Sequence, residues 1–314
     1  MMQAPNTTTR RWRRASTGGA IRDPRGDRLF LAVNHAVLIT FALMVLYPII
    51  YVVSSSFSSG GAISSGAVRL FPVEFNTDAY ATLVDSPRLL RGFLNSVLYA
   101  VAGALLGTCL TVLAGYALSR ADLPYRRLLT LFFLVPTLFS AGIIPTYMVV
   151  RQLGLLDTPA AVVLPGAMSV FLMLITRTFY VMSVPSEVLE AARMDGANDL
   201  QFFFRVALPL SKPIIAVNLL FYGVSQWNSW FSAFLYLNDT DWYPLQLVLR
   251  EILAQSTIDP SQIGGGDVGQ LMRQQELFAK LKYAIMVVAM LPPLLVYPFV
   301  QKYFVRGALI GSVK

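Results

Sequence analysis

Six apolar runs, near residues 31–53, 95–118, 128–150, 160–182, 213–237 and 283–303, constrain this chain more than any other feature, and none of them contains Asp or Glu. Each is close to the roughly 20 residues that a helix needs to cross the hydrocarbon core of a bilayer. Lipid offers the backbone no hydrogen-bond partners, so runs of this kind close their bonds within a helix. The expected fold is therefore an all-α polytopic membrane protein with six transmembrane helices. Of the 314 residues, 55 % are hydrophobic and 13 % charged, which is too apolar for an ordinary soluble domain.

The formal charge of +8 comes largely from Arg10, Arg11, Arg13, Arg14, Arg22, Arg25 and Arg28, all ahead of the first run. A basic tail on a soluble protein reads as a nucleic-acid arm. Here no nucleic-acid-binding motif follows, and the tail reads as an orientation signal that stays on the cytoplasmic side. With the N-terminus inside, the inner segments also carry Arg120, Arg126, Arg127, Arg193, Arg205, Lys212, Lys302, Arg306 and Lys314. The outer segments are longer and hold fewer, among them Arg69, Arg88, Arg91, Arg151, Arg250, Arg273 and Lys280. Both termini are thus expected in the cytoplasm of a bacterial cell, with the chain in its inner membrane. The first run is long and lacks a small-residue cleavage site, so it reads as a retained helix.

This gives a basic tail (1–28), a six-helix domain (29–306) and a cytoplasmic C-terminal tail (307–314). The outer loops 54–94 and 238–282 carry Gly, Ser, Asp and Pro punctuation, including Gly264-Gly265-Gly266. The second also carries Asp239, Asp241, Glu251, Asp259, Asp267 and Glu276, which suits an aqueous surface.

Several functions are disfavoured. Cys109 and His35 are the chain's one cysteine and one histidine, so a thiolate or histidine metal site has no ligand set, and no metal or other cofactor is expected in this chain. His35 reads as a packing or interfacial residue. Arg177 lies near the predicted cytoplasmic end of the fourth run, and the missing mid-membrane carboxylates disfavour ion-coupled transport. The chain has no G-x-x-x-x-G-K-[ST] loop for nucleotide phosphates, so ATP hydrolysis would need another subunit. Gly103 and Gly107 form a G-x-x-x-G that reads as a close helix contact.

Between the fourth and fifth runs the segment 185–213 reads as two short helices and a hinge. The first starts after Pro185, with Glu187 and Glu190 near its positive end. Gly196 suits a sharp turn, and Asn198 with Gln201 suits a cap on the second helix, which Pro209 and Pro213 would end. Ala191 and Ala192 are expected at the tip of a knob that docks into a groove.

This segment resembles the "EAA" loop of binding-protein-dependent ABC importer permeases, with Glu190-Ala191-Ala192, Asp195-Gly196-Ala197 and Leu208-Pro209 at that family's intervals. From about Asn76 onward the chain looks like the MalG-like carbohydrate permeases, and within them the LplC/YtcP-type branch associated with complex saccharides. Asn95-Ser96, Gly115-Tyr116-Ala117-Leu118-Ser119-Arg120, Ile144-Pro145-Thr146-Tyr147, Gln226-Trp227-Asn228 and the ending Gly307 to Lys314 carry that likeness. The resemblance implies the type I ABC importer permease fold. It implies that Glu187, Glu190, Ala191, Ala192, Asp195, Gly196, Ala197, Leu208 and Pro209 couple to an ATP-binding subunit. The implied partners are a second, different permease, two ATP-binding subunits carrying ATP and Mg, an extracytoplasmic solute-binding protein, a saccharide and the surrounding lipid.

Sugars are held by hydroxyl hydrogen bonds and by aromatic faces. Tyr147, Tyr222, Gln226, Trp227, Asn228 and Trp230 are the candidate lining of a substrate path, with Gln226 and Trp230, and Trp227 and Phe231, sharing helix faces at i, i+4. An aromatic belt for Trp230 and Tyr236 is the alternative. Pro136, Pro145, Pro165 and Pro292-Pro293 mark expected kinks. The alternatives in function are an ABC permease for a non-sugar solute, a stand-alone secondary transporter and a membrane enzyme acting on lipid-linked sugars.

Overall fold

The computed structural model describes residues 25–139, 141–255 and 268–310. The arginines from Arg10 to Arg22, the Gly264-Gly265-Gly266 run, Asp259, Asp267 and the last four residues lie outside them. All regular structure among the described residues is helical.

Helix α1 (Arg25–Ser56) spans 32 residues and leaves Leu29, Phe30, Phe41 and Met44 largely exposed. Residues up to Ile49 form one unit and those from Ile50 a second. An apolar helix surface with polar residues on no particular side belongs in lipid or against another chain. His35 Nδ1 lies 2.6 Å from the Leu31 carbonyl, one turn back.

The second unit begins with the short helices α2 (Gly60–Ser64) and α3 (Asp78–Asp85) and is organised around α4 (Pro87–Ser119). Pro87 starts α4 where a missing N–H is harmless. Its buried face includes Gly92, Ser96, Tyr99, Gly103, Gly107, Thr111 and Gly115, the three-and-four spacing of a single helix face. A Cβ at Gly103 would sit 2.4 Å from Gln226 Cγ, and one at Gly107 would sit 2.7 Å from the Ala167 carbonyl. The G-x-x-x-G therefore serves close helix packing, as expected.

Four of the expected spans are interrupted or extended. The third is a bent pair, α5 (Arg126–Leu138) and α6 (Ile143–Gln152), the latter opening on Gly142 at φ +82°. The fourth is α7 (Pro159–Val163) followed by α8 (Val170–Ser183), with Pro165 and Gly166 between them and Ser169 capping α8. α9 (Ser186–Met194) and α10 (Asp199–Leu210) precede α11 (Lys212–Trp227), and α12 (Phe231–Tyr236) completes the fifth run. α13 (Leu245–Gln255) leads to α14 (Val268–Ile310), which stays continuous through Pro292, Pro293 and Pro298.

Among the described residues three helices are long and apolar enough to cross a membrane, or up to five if each bent pair is one span. The helix α8 has 14 residues and reaches about 21 Å at 1.5 Å per residue, short of the ~30 Å core. Six continuous helices are thus not found among the described residues, and the count of six transmembrane helices read from hydropathy is not confirmed. Hydropathy averages over Pro165-Gly166 and Asn228-Ser229, and the backbone does not.

At the Asn95 end of α4, side chains hold the segment before α13. Asn95 Nδ2 donates to the carbonyls of Asp241 (2.7 Å) and Tyr243 (3.1 Å), the Tyr99 hydroxyl donates to Trp242 O (2.8 Å), and Ser96 Oγ accepts from Leu245 N (2.8 Å). Asp157, at φ +60°, accepts from the backbone amides of Asp239 and Asn238, which hold its carboxyl below the usual carboxylate range.

Candidate functional site

The segment between α8 and α11 folds as a small unit of its own. α9 carries Glu187 in its first turn and Arg193 in its last, both favourable to the helix dipole. Past Asp195 the chain turns at Gly196, whose φ of +80° is a value that glycine adopts without strain. Gly196 N donates to Arg193 O (3.0 Å) and Ala197 N to Ala192 O (2.9 Å), the paired bonds of a Schellman motif. Asn198 and Gln201 then complete a capping box, Gln201 N donating to Asn198 Oδ1 (2.8 Å) and Asn198 N to Gln201 Oε1 (3.1 Å).

Pro209 does not end the second helix. It follows a π turn at Phe203–Ala207, a wider turn that accommodates a residue with no N–H to give. The helix ends instead at buried Ser211, whose hydroxyl donates to the Ala207 carbonyl. There α10 and α11 meet at 75°.

Phe202, Phe203 and Ala207 of α10 bury themselves against Val112 of α4 and Tyr180 of α8, and Leu189, Ala192 and Leu208 pack on that cluster. Ala192 therefore faces inward, where the sequence placed it at the tip, because it lies three residues from Leu189 on the packing face of α9. Ala191, Glu187, Glu190, Asp195, Gly196 and Pro209 are exposed, and Ala197 is half-buried. Apolar residues that sequence reasoning overlooked also face outward, among them Val188, Met194 (88 % exposed), Leu200 and Phe204. Their signal was available, since they fall off the periodic face that Leu189, Phe202 and Phe203 define.

Beside this loop four charges form a closed ring. Arg120, at the end of α4, donates to Asp122 (3.0 and 2.8 Å) and to Asp199 (3.1 Å). Arg193 donates to the same two carboxylates, at 2.8 and 3.3 Å. The Arg120 and Arg193 guanidiniums hold the Asp122 carboxyl well below the usual carboxylate range, and Asp122 in turn raises both arginines. Two of these contacts, Arg120 with Asp199 and Arg193 with Asp122, join residues 79 and 71 positions apart, so no local spacing announces the closed ring. The ring borders a cleft of about 460 Å³ that also meets Ser186, Glu190 and Arg177.

The candidate path residues are not gathered into one lining. The Tyr222 hydroxyl is buried, bonded to Thr111 Oγ1 and accepting from Ser169 N (2.8 Å). Trp227 is buried, donates from Nε1 to Ala289 O (2.9 Å) and packs edge-on to Phe93. The half-buried Gln226 packs over Gly103, Asn228 caps α11 and donates to Val224 O, and Tyr147 stacks with Tyr236. Trp230 lies under the Arg250 guanidinium, 3.7 Å from the ring centroid. The expected i, i+4 pairs, Gln226 with Trp230 and Trp227 with Phe231, do not form on one helix, because α11 ends at Trp227. Among the described residues no group of His, Cys, Asp and Glu could hold a metal ion.

Residues 107–309 match the family described as binding-protein-dependent transport system inner membrane component. The chain is 40 % identical to the polygalacturonan/rhamnogalacturonan transport system permease protein YtcP of Bacillus subtilis, over 92 % of this chain and 99 % of that protein. It is 38 % identical to protein LplC of the same organism, over 94 % and 98 %. Among solved structures it is similar to a chain of a bacterial ABC transporter involved in the import of the acidic polysaccharide alginate. The TM-score is 0.80 at 35 % identity, covering 90 % of this chain and 99 % of that one.

Proposed function

Because the chain belongs to the binding-protein-dependent transport system inner membrane component family, we propose that it forms one half of the translocation path of an ABC importer for an oligo- or polysaccharide. The saccharide reading rests on the relatives, whose names specify polygalacturonan and rhamnogalacturonan for one and alginate for a similar structure. In this reading a second permease completes the path and two ATP-binding subunits hydrolyse ATP. An extracytoplasmic binding protein delivers the solute, and both termini face the cytoplasm. Catalysis of hydrolysis belongs to the partner, which carries ATP and Mg.

The observation that carries the coupling role is the folded loop from Ser186 to Leu210, which exposes Glu187, Glu190, Ala191, Met194, Leu200 and Phe204 together while its inner face is anchored on α4 and α8. A preformed knob with apolar and acidic groups outside suits insertion into a cleft on a soluble partner, since apolar contacts supply affinity and charge supplies register. ATP and the loaded binding protein both favour one state of the path, and each shifts the equilibrium only through its differential affinity. Uptake of labelled oligosaccharides, uronic and neutral, by proteoliposomes containing the whole complex tests the reading. Gly196→Pro and Glu190→Lys are expected to abolish uptake or ATPase assembly, and normal uptake with both variants would remove the docking model.

A further inference from the structure

A displacement of the coupling loop can reach the helix bundle through the chain at its two ends, through the apolar cluster around Phe203 and through the charged ring. At Ser211, just past Leu208–Leu210 and the π turn at Phe203–Ala207, α10 and α11 meet at 75°. Breaks of this kind act as hinges, so this joint takes up motion instead of passing it on. Arg193 ends α9 and Asp199 begins α10, on either side of the Gly196 turn, and both bond to the segment leaving α4.

We infer that the ring of Arg120, Asp122, Arg193 and Asp199 is the linkage that carries loop displacement into the adjoining ends of α4 and α5, a positioning role that rests on the coupling function proposed above. Each guanidinium holds both carboxylates, so sliding the loop along α4 strains bonds on both sides of the ring. Arg120 is anchored behind it. Its side chain is 13 % exposed, its Nη1 donates to the Tyr116 hydroxyl (3.2 Å), and its carbonyl accepts from Arg126 Nη1 (3.3 Å) at the start of α5. Arg177 of α8 donates to Leu118 O (3.1 Å), two residues earlier. The rival account gives transmission to the apolar cluster around Phe203 and treats the ring as half-exposed charges of little consequence.

The test measures solute transported per ATP hydrolysed by the assembled transporter in proteoliposomes at 0.1 and 1 M salt, across which the screening length falls from about 10 to about 3 Å. Arg193→Ala is expected to lower the ratio about 5-fold at the lower salt, with the ATP-binding subunit still co-purifying. The wild-type ratio falls as salt rises, the Arg193→Ala ratio stays flat, and Arg193→Lys recovers much of the loss. Asp122→Asn, which leaves α9 and α10 intact, gives the same reading if Arg193→Ala disturbs assembly. An unchanged ratio in Arg193→Ala or Asp122→Asn, or an equal salt response in variant and wild type, overturns the linkage. Wild-type transport that needs no ATP-binding subunit would instead defeat the coupling function itself.

Discussion

At Gly103 the backbone of α4 meets the Gln226 side chain so closely that any Cβ collides. Gly103→Leu is expected to destabilise the purified protein by about 1–3 kcal/mol, the usual cost of overpacking, read as a lowered thermal midpoint in detergent. Gly61→Ala, where no atom lies within 4 Å, serves as the neutral control. The sequence announced this contact because its signal is local, two glycines four residues apart. It did not announce that Tyr222 and Trp227 spend their polar atoms on Ser169 and Ala289, since a buried aromatic and a solute-facing one look alike in a string. Asp122 gives a pH prediction of definite sign. Its carboxyl is depressed in the folded protein, so its contribution is complete above the unfolded value of about 3.9 and is lost as pH falls through the lower folded value. The stability difference between wild type and Asp122→Asn should stay flat from about pH 5 to 8 and shrink in acid, as chemical unfolding would show.

Among the elements, the loop between α8 and α11 was the most legible, because its turn and caps are written in adjacent residues: Pro185, Gly196, and Asn198 with Gln201. Its π turn, its end at Ser211 and its charged ring were not, because each depends on partners in α4 or on backbone hydrogen bonds that no residue pattern fixes. Gly196→Ala should cost about 1–2 kcal/mol, since the left-handed backbone value penalises any Cβ, and thermal unfolding would register it. The exposed apolar pair Met194 and Phe204 carries a separate expectation. Met194→Asp with Phe204→Asp should reduce co-purification of the ATP-binding subunit about 10-fold or more while leaving the permease's own thermal midpoint unchanged, because neither side chain is buried.

For the molecule as a whole, membrane class and helix content followed from the apolar runs, whereas the number of continuous helices did not. Pro165-Gly166 and Asn228 interrupt runs whose mean hydropathy is unbroken. Family membership rests on residues 107–309, and the account built on it has one central claim, that the exposed face of the 185–213 loop is where ATP hydrolysis is coupled to this chain. Site-directed cross-linking measures that most directly. With Cys109, which is exposed, first replaced by Ser, a cysteine at the exposed Ala191 should cross-link to the ATP-binding subunit of the assembled complex, and one at the exposed Gly61 should not. No cross-link from Ala191→Cys, or equal yield from Gly61→Cys, would contradict the account.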